Sequence, residues 1–148
     1  MKYILSLDAG TTSSRAILFD QKGKQQSISQ HEFEQYFPKE SWVEHDAIEI
    51  WNTQLKAIRE VLSQPGIDPN AIAALGITNQ RETTIIWDRV TGIPVHKAIV
   101  WQDRRTASIC ESLATHQQTF LDKTGLVLDA YFSGTKIQWI LDSDPSLR

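Results

Sequence analysis

Tyr3-Ile4-Leu5-Ser6-Leu7-Asp8-Ala9-Gly10-Thr11-Thr12-Ser13-Ser14-Arg15-Ala16-Ile17-Leu18-Phe19 is the stretch whose reading decides the fold. Tyr3, Leu5 and Leu7 share one face of a strand, and Ile4 and Ser6 share the other. Residues 15–19 form a second strand, with Arg15, Ile17 and Phe19 on one side and Ala16 and Leu18 on the other. Asp20-Gln21-Lys22-Gly23-Lys24 is a tight turn, and residues 25–32 form a polar third strand near a sheet edge. The chain therefore opens as an antiparallel meander. The loop from Asp8 to Ser14 joins its first two strands.

That loop holds an acid, a glycine and four consecutive hydroxyl residues. One reading is a turn whose Thr and Ser side chains satisfy local backbone groups. The other is a phosphate site. Two like charges 4 Å apart repel by about 4 kcal/mol at an effective dielectric of ~20. Asp8 beside bound phosphates would thus oppose them unless a cation lies between, which makes the second reading a Mg²⁺–phosphate site. The GxxxxGK[ST] phosphate loop does not occur in this sequence.

Further along, residues 33–45 carry Tyr36, Phe37, Pro38 and Trp42 and read as a packed loop. Asp46 is a candidate N-cap with Glu49 three residues on, as in a capping box. Trp51, Leu55, Ile58 and Leu62 step at helical spacing and predict one buried face, and Pro65-Gly66 ends that helix. Residues 72–78 and 83–87 read as strands separated by Asn79-Gln80-Arg81-Glu82. Thr91-Gly92-Ile93-Pro94 is a turn, residues 98–101 a short strand, and helices begin near Asp103 and near Ser133. Strands followed by helices, then alternating with them, give the α/β class. The pattern after Leu141 reads as a helix exit with nothing following, which suggests a piece of something longer.

Composition narrows the partners. The 148 residues suffice for one domain with a real core, and the net charge of −3 comes without a basic tract. Neither nucleic acid nor an anionic membrane surface is expected as a partner. No stretch has the apolar length of a signal peptide or a membrane span. Cys110 is the only cysteine, so no internal disulfide forms, which suits a reducing, cytoplasmic setting.

Three further segments carry chemistry. Arg81-Glu82 is either an exposed ion pair of little energetic consequence or a polyol clamp. A hydroxyl donates and accepts, whereas arginine only donates and a carboxylate only accepts, so the pair can hold neighbouring hydroxyls in one orientation. Trp101 is a buried ring or an apolar wall for a ligand's carbons, and Asp103 an N-cap. Tyr131 is a core aromatic or a hydroxyl donor. His31, His45, His96 and His116 lack metal-ligand spacing, and Cys110 lies on an apolar helix face.

Five segments, in order, resemble the FGGY carbohydrate kinases: Asp8-Ala9-Gly10-Thr11-Thr12-Ser13-Ser14-Arg15-Ala16; Trp42-Val43-Glu44-His45-Asp46; Gly76-Ile77-Thr78-Asn79-Gln80-Arg81-Glu82-Thr83-Thr84; Ala98-Ile99-Val100-Trp101-Gln102-Asp103-Arg104-Arg105-Thr106; and residues 124–136 around Asp129-Ala130-Tyr131-Phe132-Ser133. Asn79-Gln80-Arg81-Glu82-Thr83 and Trp101-Gln102-Asp103-Arg104-Arg105 are most similar to the glycerol-phosphorylating members. The resemblance implies an actin-like ATPase, ribonuclease H-like fold, a mixed sheet flanked by helices. It implies ATP and Mg²⁺ as cofactors, with Asp8 facing the metal and Thr11, Thr12, Ser13 and Arg15 at the nucleotide phosphates. It implies glycerol as substrate, held by Arg81, Glu82 and Tyr131 with Trp101 on its carbons. Residues 1–148 would be the N-terminal part of the first kinase domain of a homo-oligomeric parent. No acid here matches the family's catalytic base, so the chain alone is expected to be inactive. Ala9, Ser41 and Ala130 depart from a usual Gln, Gly and Pro, and Ala130 is expected to loosen the turn that places Tyr131.

Overall fold

The computed structural model describes residues 2–148, and the chain divides into two units. Its elements are β1 (Tyr3–Ala9), β2 (Ser13–Asp20), β3 (Gln25–Glu32), β4 (Gln35–Tyr36), β5 (Glu44–His45), α1 (Ala47–Leu62), β6 (Ile72–Thr78), β7 (Ala98–Ile99), α2 (Ala107–Ser112), α3 (Gln117–Thr124) and α4 (Ser133–Ser143). The first unit comprises Met1–Gln35 and Asp46–Gln80, and the second Tyr36–His45 and Arg81–Arg148.

The first unit is built on the expected meander. Its sheet has the order β3-β2-β1-β6, antiparallel except that β6 runs parallel to β1. The turn at residues 20–24 works because Asp20 accepts from the backbone N–H groups of Lys22 and Lys24 and from the Gln26 amide. These bonds hold the Asp20 carboxyl below the usual range, the Lys24 bond most strongly. Tyr3, Leu5 and Leu7 of β1 and Ala16 and Leu18 of β2 form the core with Ala57 and Val61 of α1.

α1 is seated differently from the expectation. Trp51 is 59% exposed, and the buried stripe is Gln54, Ala57 and Val61, each one position before Leu55, Ile58 and Leu62. Side-chain size explains the rotation: Ala57 and Ala16 are small and fully buried, so helix and sheet approach closely along that line. Gln54 is tolerated there because its amide donates to the Arg15 carbonyl at 3.1 Å. Asp46 caps the helix as expected, accepting from Ile48 and Glu49 N–H. The reciprocal half of the capping box is replaced, since Glu49 accepts from the Glu34 N–H instead. The helix stops at Leu62, with Ser63 as C-cap, ahead of Pro65-Gly66.

The second unit has less regular structure. Residues 83–87 are not a strand; they make single bridges, Thr84 to Ile99 and Trp87 to Pro94. Glu82, immediately before them, has φ +65°, which extended strand geometry cannot accommodate. The segment from Gln117 to Thr124 is a helix not foreseen from the sequence; it is capped by left-handed Gly125.

Asp103 is not a helix cap: α2 begins after Thr106. Its carboxylate, 1% exposed, accepts from Val43 N–H, Arg105 N–H and the Arg105 guanidinium. The Arg105 guanidinium is fully buried, pairs with both Asp103 and Glu44 at 2.8 Å, and stands 3.8 Å over the ring of Trp42 and 4.8 Å from that of Trp139. The centre of this unit is thus an ion-pair cluster walled by two tryptophans.

Ser41 leads into that cluster with φ +62°, in the left-handed region. A side chain there costs roughly 1–2 kcal/mol, part of which glycine gives back as chain entropy in the unfolded state. Ser41→Gly is therefore expected to stabilise this chain by about 0.5–1 kcal/mol. The check is the urea midpoint at unchanged m-value.

Candidate functional site

In the first unit, the loop between β1 and β2 is closed by a Gly10 N–H to Ser13 carbonyl bond of 2.9 Å. A Cβ on Gly10 would lie 3.0 Å from that same carbonyl, so any larger residue would crowd the turn and push its backbone apart by a few tenths of an ångström. The Gln80 amide, just beyond β6, donates to the Gly10 carbonyl at 2.8 Å and anchors the loop from the sheet side. Ser13 accepts from the Gln30 amide, and Thr12 is exposed.

The four hydroxyls do not act alike. Ser14 is fully buried, and its hydroxyl packs against α1, 3.3 Å from the Ile50 carbonyl and 3.0 Å from the Thr53 hydroxyl. It belongs to the packing, whereas Thr11 and Thr12 occupy the turn itself and Ser13 begins β2.

Asp8 and Arg15 face each other across the β1–β2 register and form an ion pair at 2.5 Å through Asp8 Oδ2. Asp8 Oδ1 makes no hydrogen bond among the described residues. Among the described residues no group of three or more His, Cys, Asp or Glu side chains could hold a metal ion. A lone, half-open carboxylate suits a cation coordinated mostly by ligand oxygens and water, and does not suit an all-protein cage.

In the second unit, Arg81 is exposed and makes no hydrogen bond or ion pair among the described residues. Glu82 follows in its left-handed conformation. Its Oε2 accepts from the Ser133 N–H at 2.9 Å and the Ser133 hydroxyl at 2.8 Å, at the start of α4. A carboxylate at a helix N-terminus is favourably placed. Glu82 Oε1 is left without a partner among the described residues. Trp101 and Tyr131 meet edge to face with ring centroids 6.0 Å apart, and the Trp101 N–H donates to the Thr83 hydroxyl.

The turn before Tyr131 is firmer than Ala130 suggested. Asp129 Oδ1 accepts from the Tyr131 N–H at 2.7 Å, and the carboxylate takes both terminal nitrogens of Arg104. Hydrogen bonding to Arg104, then burial opposing it, leaves the Asp129 carboxyl below its usual range. A side-chain bridge thus does the work of a rigid imino acid. Asp129 and Ser133 were not nominated from the sequence; their only signal was position, one two residues before and one two residues after Tyr131.

The N-terminal domain model of the FGGY family of carbohydrate kinases matches residues 3–148. The chain belongs to the FGGY carbohydrate kinases. Within this family it is 62% identical to the glycerol kinase of Deinococcus radiodurans over 148 residues, covering 99% of this chain and 30% of that protein. It is 64% identical to the glycerol kinase of Alkaliphilus metalliredigens over 143 residues, covering 95% of this chain and 29% of that protein. The crystal structure of Plasmodium falciparum glycerol kinase with ADP superposes with a TM-score of 0.88 at 33% identity, over 99% of this chain and 30% of that one. The chain therefore spans about 30% of the length of its curated FGGY relatives. The expected fold class holds: this is the α/β, mixed-sheet fold of the actin-like sugar kinases.

Proposed function

We propose that this chain is the N-terminal part of the first domain of an ATP-dependent glycerol kinase, which transfers the γ-phosphoryl group of ATP to a terminal hydroxyl of glycerol and yields sn-glycerol 3-phosphate. The observation that carries the reading is the pairing of an uncommitted Arg81 with a Glu82 whose one oxygen is anchored and whose other is open. It is supported by 62% identity to a protein named glycerol kinase.

Each residue then has a task. Arg81 donates to one or two substrate hydroxyls, and Glu82 Oε1 accepts from its neighbour. The Tyr131 hydroxyl adds a donor, and the Trp101 ring packs on the carbon chain. These contacts present a terminal hydroxyl in one orientation, which is most of what phosphoryl transfer asks of the acceptor side. On the nucleotide side, Thr11, Thr12 and Ser13 offer hydroxyl and backbone donors to the phosphates. Arg15 holds Asp8 in place and adds positive charge. Mg²⁺ bound through Asp8 and water would neutralise charge on the phosphates. No acid in this chain carries the family's base motif, so removal of the hydroxyl proton is assigned outside these residues.

Among the described residues no helix is long and apolar enough to cross a membrane. The single, partly buried Cys110, its thiol pushed up by burial, fits the cytoplasm, where we place the protein.

The test is a chimera in which this chain replaces the matching N-terminal 148 residues of the Deinococcus radiodurans relative. It should phosphorylate glycerol at least about 100-fold more efficiently than xylulose, measured as kcat/KM with coupled ADP detection. A folded chimera that prefers xylulose, or turns over neither, rejects the reading.

A further inference from the structure

Lys136 lies in the first turn of α4, and its side chain is fully buried. Its ammonium donates to the Glu82 carbonyl at 2.9 Å and to the Tyr131 carbonyl at 2.6 Å. A buried ammonium is costly unless hydrogen-bonded, and here the bonds go to the main chain of the two residues whose side chains are assigned to the substrate. The same helical turn supplies Ser133, which fixes the Glu82 carboxylate. Glu82 is thus gripped at both ends, side chain by Ser133 and main chain by Lys136. That double grip accounts for its left-handed φ of +65°, a conformation that costs roughly 1–2 kcal/mol and persists only when its surroundings impose it.

We propose that Lys136 is the positioning residue of the polyol clamp: it ties the backbone of Glu82 to that of Tyr131 and so sets the spacing of the hydroxyls the clamp accepts. The proposal rests on the glycerol reading above for what the clamp binds. It does not rest on it for the tie itself. With its side chain buried and its ammonium bonded to two carbonyls, Lys136 acts through the two residues whose side chains are assigned to the substrate. Carbonyl oxygens from separate segments repel when brought together, and a cation between them reverses the sign of that interaction.

The electrostatic surroundings agree. Burial lowers the Lys136 ammonium to a pKa of about 8. Asp103, Glu82 and Asp129 oppose this, and Arg104 adds to it. Between pH 8 and 10.5 the folded chain binds fewer protons at Lys136 than the unfolded chain. Its share of stability therefore rises with pH across that window. A neutral amine still has two N–H donors, enough for both carbonyls but with weaker bonds.

Two measurements test the tie. In the glycerol kinase chimera, Lys136→Met keeps the length of the side chain and removes the donors. The KM for glycerol should rise at least about tenfold while the KM for ATP stays within about twofold. A loss of active protein with both KM values unchanged would mean a role in stability alone and overturns the proposal. Should that variant not fold, the unmodified 148-residue chain decides. With ¹³C and ¹⁵N labels, the Lys136 titration near pH 8 should move the carbonyl resonances of both Glu82 and Tyr131 with the same midpoint. Carbonyls that do not follow it overturn the tie. Failure of the unmodified chimera on glycerol would reject the substrate reading and leave the carbonyl result standing.

Discussion

Arg81→Ala is expected to lower kcat/KM for glycerol about 100-fold in the full-length chimera while leaving its melting temperature within about 1 °C. A hydrogen bond from a charged donor contributes about 1.5–3 kcal/mol, and each 1.4 kcal/mol is a factor of ten. The unchanged stability follows from the structure: Arg81 is exposed and makes no hydrogen bond or ion pair among the described residues. Its removal opens no cavity and strands no buried partner. Glu82 differs, because its carboxylate also holds the start of α4 through Ser133, so activity and folding would change together in a variant there. Steady-state kinetics with glycerol varied at saturating ATP gives the answer. Unchanged turnover at limiting glycerol would remove Arg81 from the site.

The opposite kind of effect is expected at Asp103. Asp103→Ala should destabilise this chain by about 3–5 kcal/mol, measured by urea unfolding, because it breaks a buried ion pair from one side. Arg105 would keep Glu44 but lose Asp103, with its guanidinium still buried between Trp42 and Trp139. The Val43 N–H would lose its acceptor as well. Since whole domains are stable by only about 5–15 kcal/mol, this is a large fraction of the total. Asp103→Asn, which keeps an acceptor and the shape, should cost less. Equal losses in the two variants would show that geometry matters here and charge does not.

Asp103 also shows where sequence reading fails. An acid between a strand and a helix has the signature of an N-cap, and that local rule takes no account of a partner 60 positions away in the chain. The same holds for Trp51. Its spacing with Leu55 and Ile58 marks a helical stripe, but small residues on the facing strand decided which line of α1 came closest to the sheet. Ala130 was expected to weaken the turn at Tyr131, and the Asp129 bridge to Arg104 and to the Tyr131 N–H supplies what was lacking.

The sequence by itself determined the meander and the α/β class, and it named the loop and the side chains proposed above for a ligand. Period-two alternation, a glycine followed by four hydroxyl residues and donor-only beside acceptor-only side chains are local facts, written within a few residues of one another. Tertiary structure alone decided how those residues are held. Ser14 is spent on packing against α1, Asp8 is met by Arg15, and Glu82 is forced into a left-handed conformation by the first turn of a helix some 50 residues later. Those outcomes depend on which distant donors and carbonyls share a dry space, and no local pattern records that.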